Sequence, residues 1–307
     1  MTGIIFLLRA IHQFYTIKLI VKAMKTILLT TDFSNSASDA ARYGYNMARQ
    51  IKANVVLCNA IIVPAEIPQA GMVTWQTTEY DVLIDDSANE LNRFKNELEQ
   101  SAEGTGFKPK IKCTCEAGVV TEVLRNAAAT EETDMIVIGS HKGGSLSRLF
   151  LGDHADLLID STTKPLLMVS PGTEFKRIKK IAFATDFKTL ETDLKIIYEL
   201  ITWAKLLDAE ILLTHVVHDK EATESLQKSL SECLLELSNK ANYPHIYYRL
   251  IKNNRFEDGI DWLCEHGQVD MLAMVHRSRN FFAELFGKSH TKKVAGHLHL
   301  PLLVFPA

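Results

Sequence analysis

Short runs that are apolar at every position alternate along this chain with stretches whose apolar residues recur every third or fourth position. Ile136-Val137-Ile138 and Leu166-Leu167-Met168-Val169 are runs of the first kind. Strands buried on both faces read this way, so a parallel sheet covered by helices on either side is predicted. Strands are predicted over Thr26–Thr30, Val55–Ala60, Lys110–Glu116, Met135–Gly139 and Leu166–Ser170, and again over Ile181–Thr185, Ile211–Val216, Ile246–Ile251, Met271–Val275 and Leu302–Phe305. Between the first two, Ala37, Ala40, Ala41, Gly44, Met47, Ala48 and Ile51 trace one helix face, with Ser36-x-x-Asp39 as a capping box at its start. A long helix is predicted over 80–101 with Leu83, Leu91, Phe94 and Leu98 on its buried side, a third over Val119–Ala129 and a fourth over Ala155–Ser161. Leu194, Ile197, Ile201 and Ala204 mark the first helix of the second series.

The two series are copies. Thr31-Asp32-Phe33 returns as Thr185-Asp186-Phe187 at an offset of 154, while Asp134-Met135-Ile136 and Pro165-Leu166-Leu167 return as Asp270-Met271-Leu272 and Pro301-Leu302-Leu303 at an offset of 136. One α/β unit is therefore written twice, the second time shorter. The long segment Ile61 to Glu79, with Pro64, Pro68 and Gly71, accounts for most of the difference. The domains expected are 24–171 and 177–307, joined at Pro171-Gly172-Thr173. Each is long enough for its own core.

Composition narrows the function classes. The chain has 34 Lys and Arg against 37 Asp and Glu, a net charge of -3, and 47% hydrophobic residues, as ordinary globular proteins do. No basic surplus suggests a nucleic-acid partner. The five cysteines are odd in number and scattered, and Cys113-x-Cys115 has no second pair to complete a zinc site, so thiols in a reducing, cytoplasmic compartment are expected. Residues 1–23 are apolar but interrupted by Arg9, His12, Lys18 and Lys22, short of the roughly 18 uncharged residues of a membrane helix. Met24-Lys25-Thr26-Ile27 reads as a start immediately before the first strand, so 1–23 is expected to be an N-terminal extension. The alternatives are a peripheral membrane contact and a helix packed on the domain.

Candidate chemistry lies beyond the carboxyl ends of the strands, where ligands of such sheets bind. In copy one Asp32 closes the first strand, Asn59-Ala60 closes the second, and Gly139-Ser140-His141-Lys142-Gly143-Gly144 leaves the fourth, followed by Gly152-Asp153 at a helix start. Glycines there let a backbone approach phosphate oxygens, and a helix N-terminus offers unpaired N–H groups. Other constellations are weaker. Ser140-His141 lacks the Gly-x-Ser-x-Gly elbow of a hydrolase. His297-x-His299, His215 and His218 have no supporting Cys or carboxylate spacing and read as surface histidines rather than a metal site.

Thr-Asp-Phe-Ser, Gly-Ser-His and Arg-Leu-Phe-Leu-Gly, in that order, resemble the universal stress protein family in its tandem form. The resemblance implies two Rossmann-like domains (the adenine nucleotide α-hydrolase-like fold), each a five-stranded parallel sheet with helices on both faces. It also implies a non-catalytic role in stress response, with an adenine nucleotide, ATP or AMP, as the ligand and no metal assigned. The family's phosphate motif falls on Gly139, Lys142, Gly152 and Asp153, its adenine aspartate on Asp32 and its strand-two contact on Ala60. With Thr31, His141 and Gly143 these make the expected site. The departures are Lys142 in place of a glycine and Asp153 in place of a hydroxyl donor. One like-charge pair at about 5 Å and an effective dielectric near 20 costs roughly 3 kcal/mol, against about 0.3–1 kcal/mol from a helix terminus. A pocket that keeps the fold without tight triphosphate binding, serving as a protein-interaction module, is the alternative, and a slow nucleotide hydrolase a lesser one. In copy two Gly139, Lys142, Gly143 and Gly152 become Val275, Ser278, Arg279 and Lys288, so binding is expected in copy one only, with copy two as a surface for an unassigned protein partner. The resemblance further implies intramolecular pairing of the two domains through their last strands and leaves room for a homodimer of chains; a membrane-associated sensor using residues 1–23 is the least favoured alternative.

Overall fold

The computed structural model of the chain is described over residues 26–62, 77–101, 106–140, 153–185, 190–217, 224–277 and 300–307. It divides into two units, Met24–Phe175 and Lys176–Ala307.

In the first unit, β1 (Thr26–Thr30), α1 (Asn35–Ile51), β2 (Asn54–Ile61), α2 (Thr77–Ser101), β3 (Ile111–Ala117), α3 (Val120–Thr130), β4 (Met135–Gly139), α4 (Asp153–Ser161) and β5 (Leu166–Val169) follow in order. All pairings are parallel and run β3-β2-β1-β4-β5. Each strand–helix–strand crossover supplies the length a parallel connection requires. β4 and β5 are buried at every position, which is why their sequences do not alternate. α1 lies close on β1 and β4 because Gly44 presents no side chain: a Cβ there would stand 2.4 Å from a Leu29 methyl.

The predicted strand limits agree with the structure to within one residue throughout. Two expectations about helices need correction. Leu83 is 43% exposed, whereas Leu91 and Leu98 are fully buried. A 25-residue helix spans about 37 Å and a seven-residue strand about 23 Å, so α2 starts beyond the sheet's carboxyl edge before it runs back along β3. The cap of α1 is Ser34, whose side chain accepts from the Ala37 amide, and not Ser36. Ser36 Oγ instead donates to the Ser140 carbonyl at 2.8 Å, and Asp39 accepts from the Gly172 amide at 3.0 Å. Gly172 turns the chain after β5 at φ +74°, a conformation that favours glycine.

The second unit repeats the plan: β6 (Lys180–Ala184), α5 (Leu190–Leu207), β7 (Glu210–Val217), α6 (Glu224–Ala241), β8 (Ile246–Lys252), α7 (Phe256–His266), β9 (Met271–His276) and β10 (Leu302–Pro306). Its parallel order is β10-β9-β6-β7-β8. The duplication reaches individual bonds. Asp134 Oδ2 accepts from the Thr26 amide, and Asp270 Oδ2 accepts from the Lys179 and Lys180 amides. The Ile136 amide bonds the Pro165 carbonyl, and the Leu272 amide bonds that of Pro301, each at 3.0 Å. Trp203, Phe183 and Phe305 anchor the core of this unit.

Candidate functional site

In the first unit the strand order reverses between β1 and β4, because β2 and β3 lie to one side of β1 while β4 and β5 lie to the other. The connections at the carboxyl ends of β1 and β4 therefore lead away in opposite directions and leave a crevice between them. The loop at the end of β1 is held by its own side chains. The Thr31 amide extends the ladder to the Cys58 carbonyl at 2.9 Å, and Thr31 Oγ1 accepts from the Phe33 amide at 2.9 Å. Asp32 Oδ1 accepts from the Ser34 amide at 3.0 Å, a turn that sets Phe33 at φ +61° and delivers Ser34 to cap α1. Thr31 is buried and Asp32 exposed at the rim.

Asn59 supports this loop from beneath. It is 7% exposed, its Nδ2 donates to the Thr31 carbonyl at 2.8 Å, and its Oδ1 accepts from Ser87 Oγ of α2 at 3.0 Å. The next residue, Ala60, lies at the strand end in register with Glu116. The sequence named Asn59-Ala60 as the end of the strand without assigning Asn59 a task. The readable signal was an amide side chain inside an otherwise apolar run, which a buried strand holds only with partners.

At the end of β4, Gly139 meets α1. A Cβ on Gly139 would lie 2.8 Å from the Ser36 carbonyl oxygen. The glycine is thus required by close packing of the helix start on the strand, whatever binds above it. Ser140 continues the ladder through its amide to the Val169 carbonyl at 2.8 Å, and its hydroxyl lies 3.1 Å from that of Ser170. The structure therefore brings Thr31, Asp32, Ala60 and Gly139 to one edge. His141, Lys142, Gly143 and Gly152 lie outside the described residues, and Asp153 begins α4 with its side chain outside them.

The second unit fills the same places differently. The Thr185 amide bonds the Thr214 carbonyl at 3.2 Å, as Thr31 does with Cys58. His215 stands where β2 has Asn59 and places Nδ1 2.9 Å from the Thr185 carbonyl, so this nitrogen carries the proton it donates. His215 is half-buried with a structural bond, not the surface histidine expected. Val275 replaces Gly139 and is buried. Arg277, directly after β9, reaches back to Thr185 Oγ1 at 3.2 Å and to the buried carboxylate of Asp193. Asp186 and residues 278–299 lie outside the described residues.

Among the described residues no group of three His, Cys, Asp or Glu is placed to hold a metal ion, and no helix is long and apolar enough to cross a membrane. Cys113 and Cys115 both face α2, with sulfurs 3.8 Å and 3.9 Å from the Leu91 and Ile84 carbonyls. Cys58 is buried, and burial first, then the neighbouring Cys115 and Glu116, pushes its thiol up to about 12.

The universal stress protein family model matches residues 24–170. A universal stress protein of Methanocaldococcus jannaschii is 26% identical over 159 residues, covering 47% of this chain and 94% of that protein. A second from the same organism is 24% identical over 169 residues, covering 54% of this chain and 95% of that protein. The crystal structure of a universal stress protein from Archaeoglobus fulgidus superposes with a TM-score of 0.62 at 16% identity over 92% of this chain and 98% of that one, so the likeness in fold extends through both copies. Residues 24–170 thus match the universal stress protein family, and the second copy shares the fold.

Proposed function

We propose that the first domain binds an adenine nucleotide, ATP or AMP, at the carboxyl edge of β1, β2 and β4, and that the chain serves as a non-catalytic stress-response protein of the cytoplasm. The observation that carries this reading is the exposed Asp32, held at the reversal of strand order by the Ser34 amide, with Asn59 fixing the carbonyl of the preceding residue. A carboxylate so placed can accept from an exocyclic amine, and the backbone at Ala60 offers the neighbouring contact. The match of residues 24–170 to the universal stress protein family supports the choice of ligand class. Thermal melting of the whole chain with and without ATP and AMP tests it: at least one nucleotide raises Tm, and Asp32→Ala abolishes the rise. Phosphate release from ATP above background contradicts the non-catalytic part.

A second reading is an interaction module with an empty crevice. It is favoured by Gly139, whose missing side chain is already accounted for by the approach of Ser36. Failure of every adenine nucleotide to move Tm decides for it.

Pairing of the two domains through their last strands, Leu166–Val169 and Leu302–Pro306, belongs to the same proposal. Each is short, almost wholly buried and apolar, the kind of strand that aggregates when its edge is bare. Residues 24–172 expressed alone are expected to dimerise or aggregate in light scattering, and a monomer at high concentration contradicts the pairing.

A further inference from the structure

We propose that the strand-edge site of the second domain is a guanidinium site and that the chain fills it with its own Arg277. β9 ends at His276, and Arg277 Nη2 then bonds Thr185 Oγ1 at 3.2 Å and Asp193 Oδ1. Thr185 follows β6, and Asp193 lies in the first turn of α5, so three elements meet at one guanidinium. The Asp193 side chain is 0% exposed and that of Arg277 26%. A carboxylate withdrawn from water requires a counter-charge. The N-terminus of α5 supplies part of it, and Arg277 supplies a full unit charge.

The first domain has neither member of this pair. The Ala53 amide bonds the Ala48 carbonyl at the end of α1, and the Ala209 amide bonds the Ala204 carbonyl at the end of α5. That correspondence sets Asp193 opposite Ala37, a buried residue of α1. The correspondence of Asp134 with Asp270 sets Arg277 opposite His141. Thr31, opposite Thr185, gives its hydroxyl oxygen to the Phe33 amide. Carboxylate and guanidinium are thus both present in one copy and both absent from the other, as a mutually dependent pair must be. The site lies between β6 and β9, where the strand order of the second unit reverses. Ligands of such sheets enter at that reversal. An incoming ligand would have to displace a paired arginine, so the second domain is closed from within. Nothing in this pair requires a nucleotide in the first domain.

Melting of the full chain tests the assignment, with methylguanidinium as the probe. Arg277→Ala is expected to lower Tm by more than about 5 °C, because it strands the Asp193 carboxylate. Methylguanidinium at low millimolar concentration should restore at least half of that loss, saturably. It should leave the native chain and the Arg277→Ala/Asp193→Asn double variant unmoved, and methylammonium, which has the charge without the fork, should restore less. If Arg277→Ala does not fold, refolding in methylguanidinium should return soluble protein that melts cooperatively, and the double variant should fold without it. No rescue, or the same shift in all three proteins, overturns the proposal.

Discussion

The side-chain amide of Asn59 donates to the main-chain carbonyl of Thr31 at 2.8 Å, joining the end of β2 to the end of β1 on one side of the crevice. Thr31 and Asn59 are buried, and Ser87 of α2 holds the other side of the amide. The loop that presents Asp32 is therefore fixed from below by a three-residue chain of hydrogen bonds. Asn59→Ala should cost about 1–3 kcal/mol, because the Thr31 carbonyl and the Ser87 hydroxyl both lose a partner out of reach of water. Urea unfolding measures it, and an unchanged midpoint would show that the clamp is dispensable.

Gly139 makes a sharper demand. Gly139→Ala places a methyl group 2.8 Å from the Ser36 carbonyl, which belongs to a helix backbone and not to a flexible side chain. The helix start must move, at a cost of about 1–3 kcal/mol. The same variant should also disturb the hydrogen bond from Ser36 to the Ser140 carbonyl. Val275, at the equivalent place in the second domain, already carries a side chain, so Val275→Ala should show only the ordinary loss of buried volume. Comparison of the two unfolding midpoints checks this, and a Gly139→Ala protein as stable as the native chain contradicts it.

The thiol of Cys58 should be inert in the folded protein. Burial is the first cause that raises it to about 12, so at pH 8 it is the neutral thiol and not the nucleophilic thiolate. Cys264 is raised to about 12 mainly by burial as well, with Asp261 and Glu265 adding to it. Alkylation with iodoacetamide at pH 8, followed by peptide mass spectrometry, should leave both unmodified until denaturant is added. Rapid modification of Cys58 in the native chain would contradict its placement in the core.

The fold was legible because the signals that specify it are local and repeated. Runs such as Ile136-Val137-Ile138 between turn signals read as doubly buried strands, and the return of Thr31-Asp32-Phe33 at Thr185 marks the duplication in the sequence itself. The site was legible as positions, not as partners. Asp32 and Ala60 stand at the strand ends where the pattern put them, but the task of Asn59 depends on Ser87, 28 residues away on another element. The same distance effect misassigned the cap of α1: Ser36 and Asp39 have capping spacing, yet they bond Ser140 and Gly172, each more than 100 residues away. Arg277 is not legible for a further reason. Its significance rests on the burial of Asp193, which is in phase with Ile197 and Ala204 on the buried face of α5 but, as a carboxylate in the first turn of a helix, reads as exposed.

One crevice per chain, in the first domain, is the core of this account, and calorimetric titration of the full chain with ATP and with AMP addresses it directly. The expected result is one equivalent of an adenine nucleotide per chain, with affinity lowered at least about tenfold, or about 1.4 kcal/mol, by Asp32→Ala. If Arg277 closes the second domain as proposed, the native stoichiometry should not exceed one. Two equivalent sites per chain would contradict the closure of the second domain, and no heat with either nucleotide would contradict the nucleotide reading of the first.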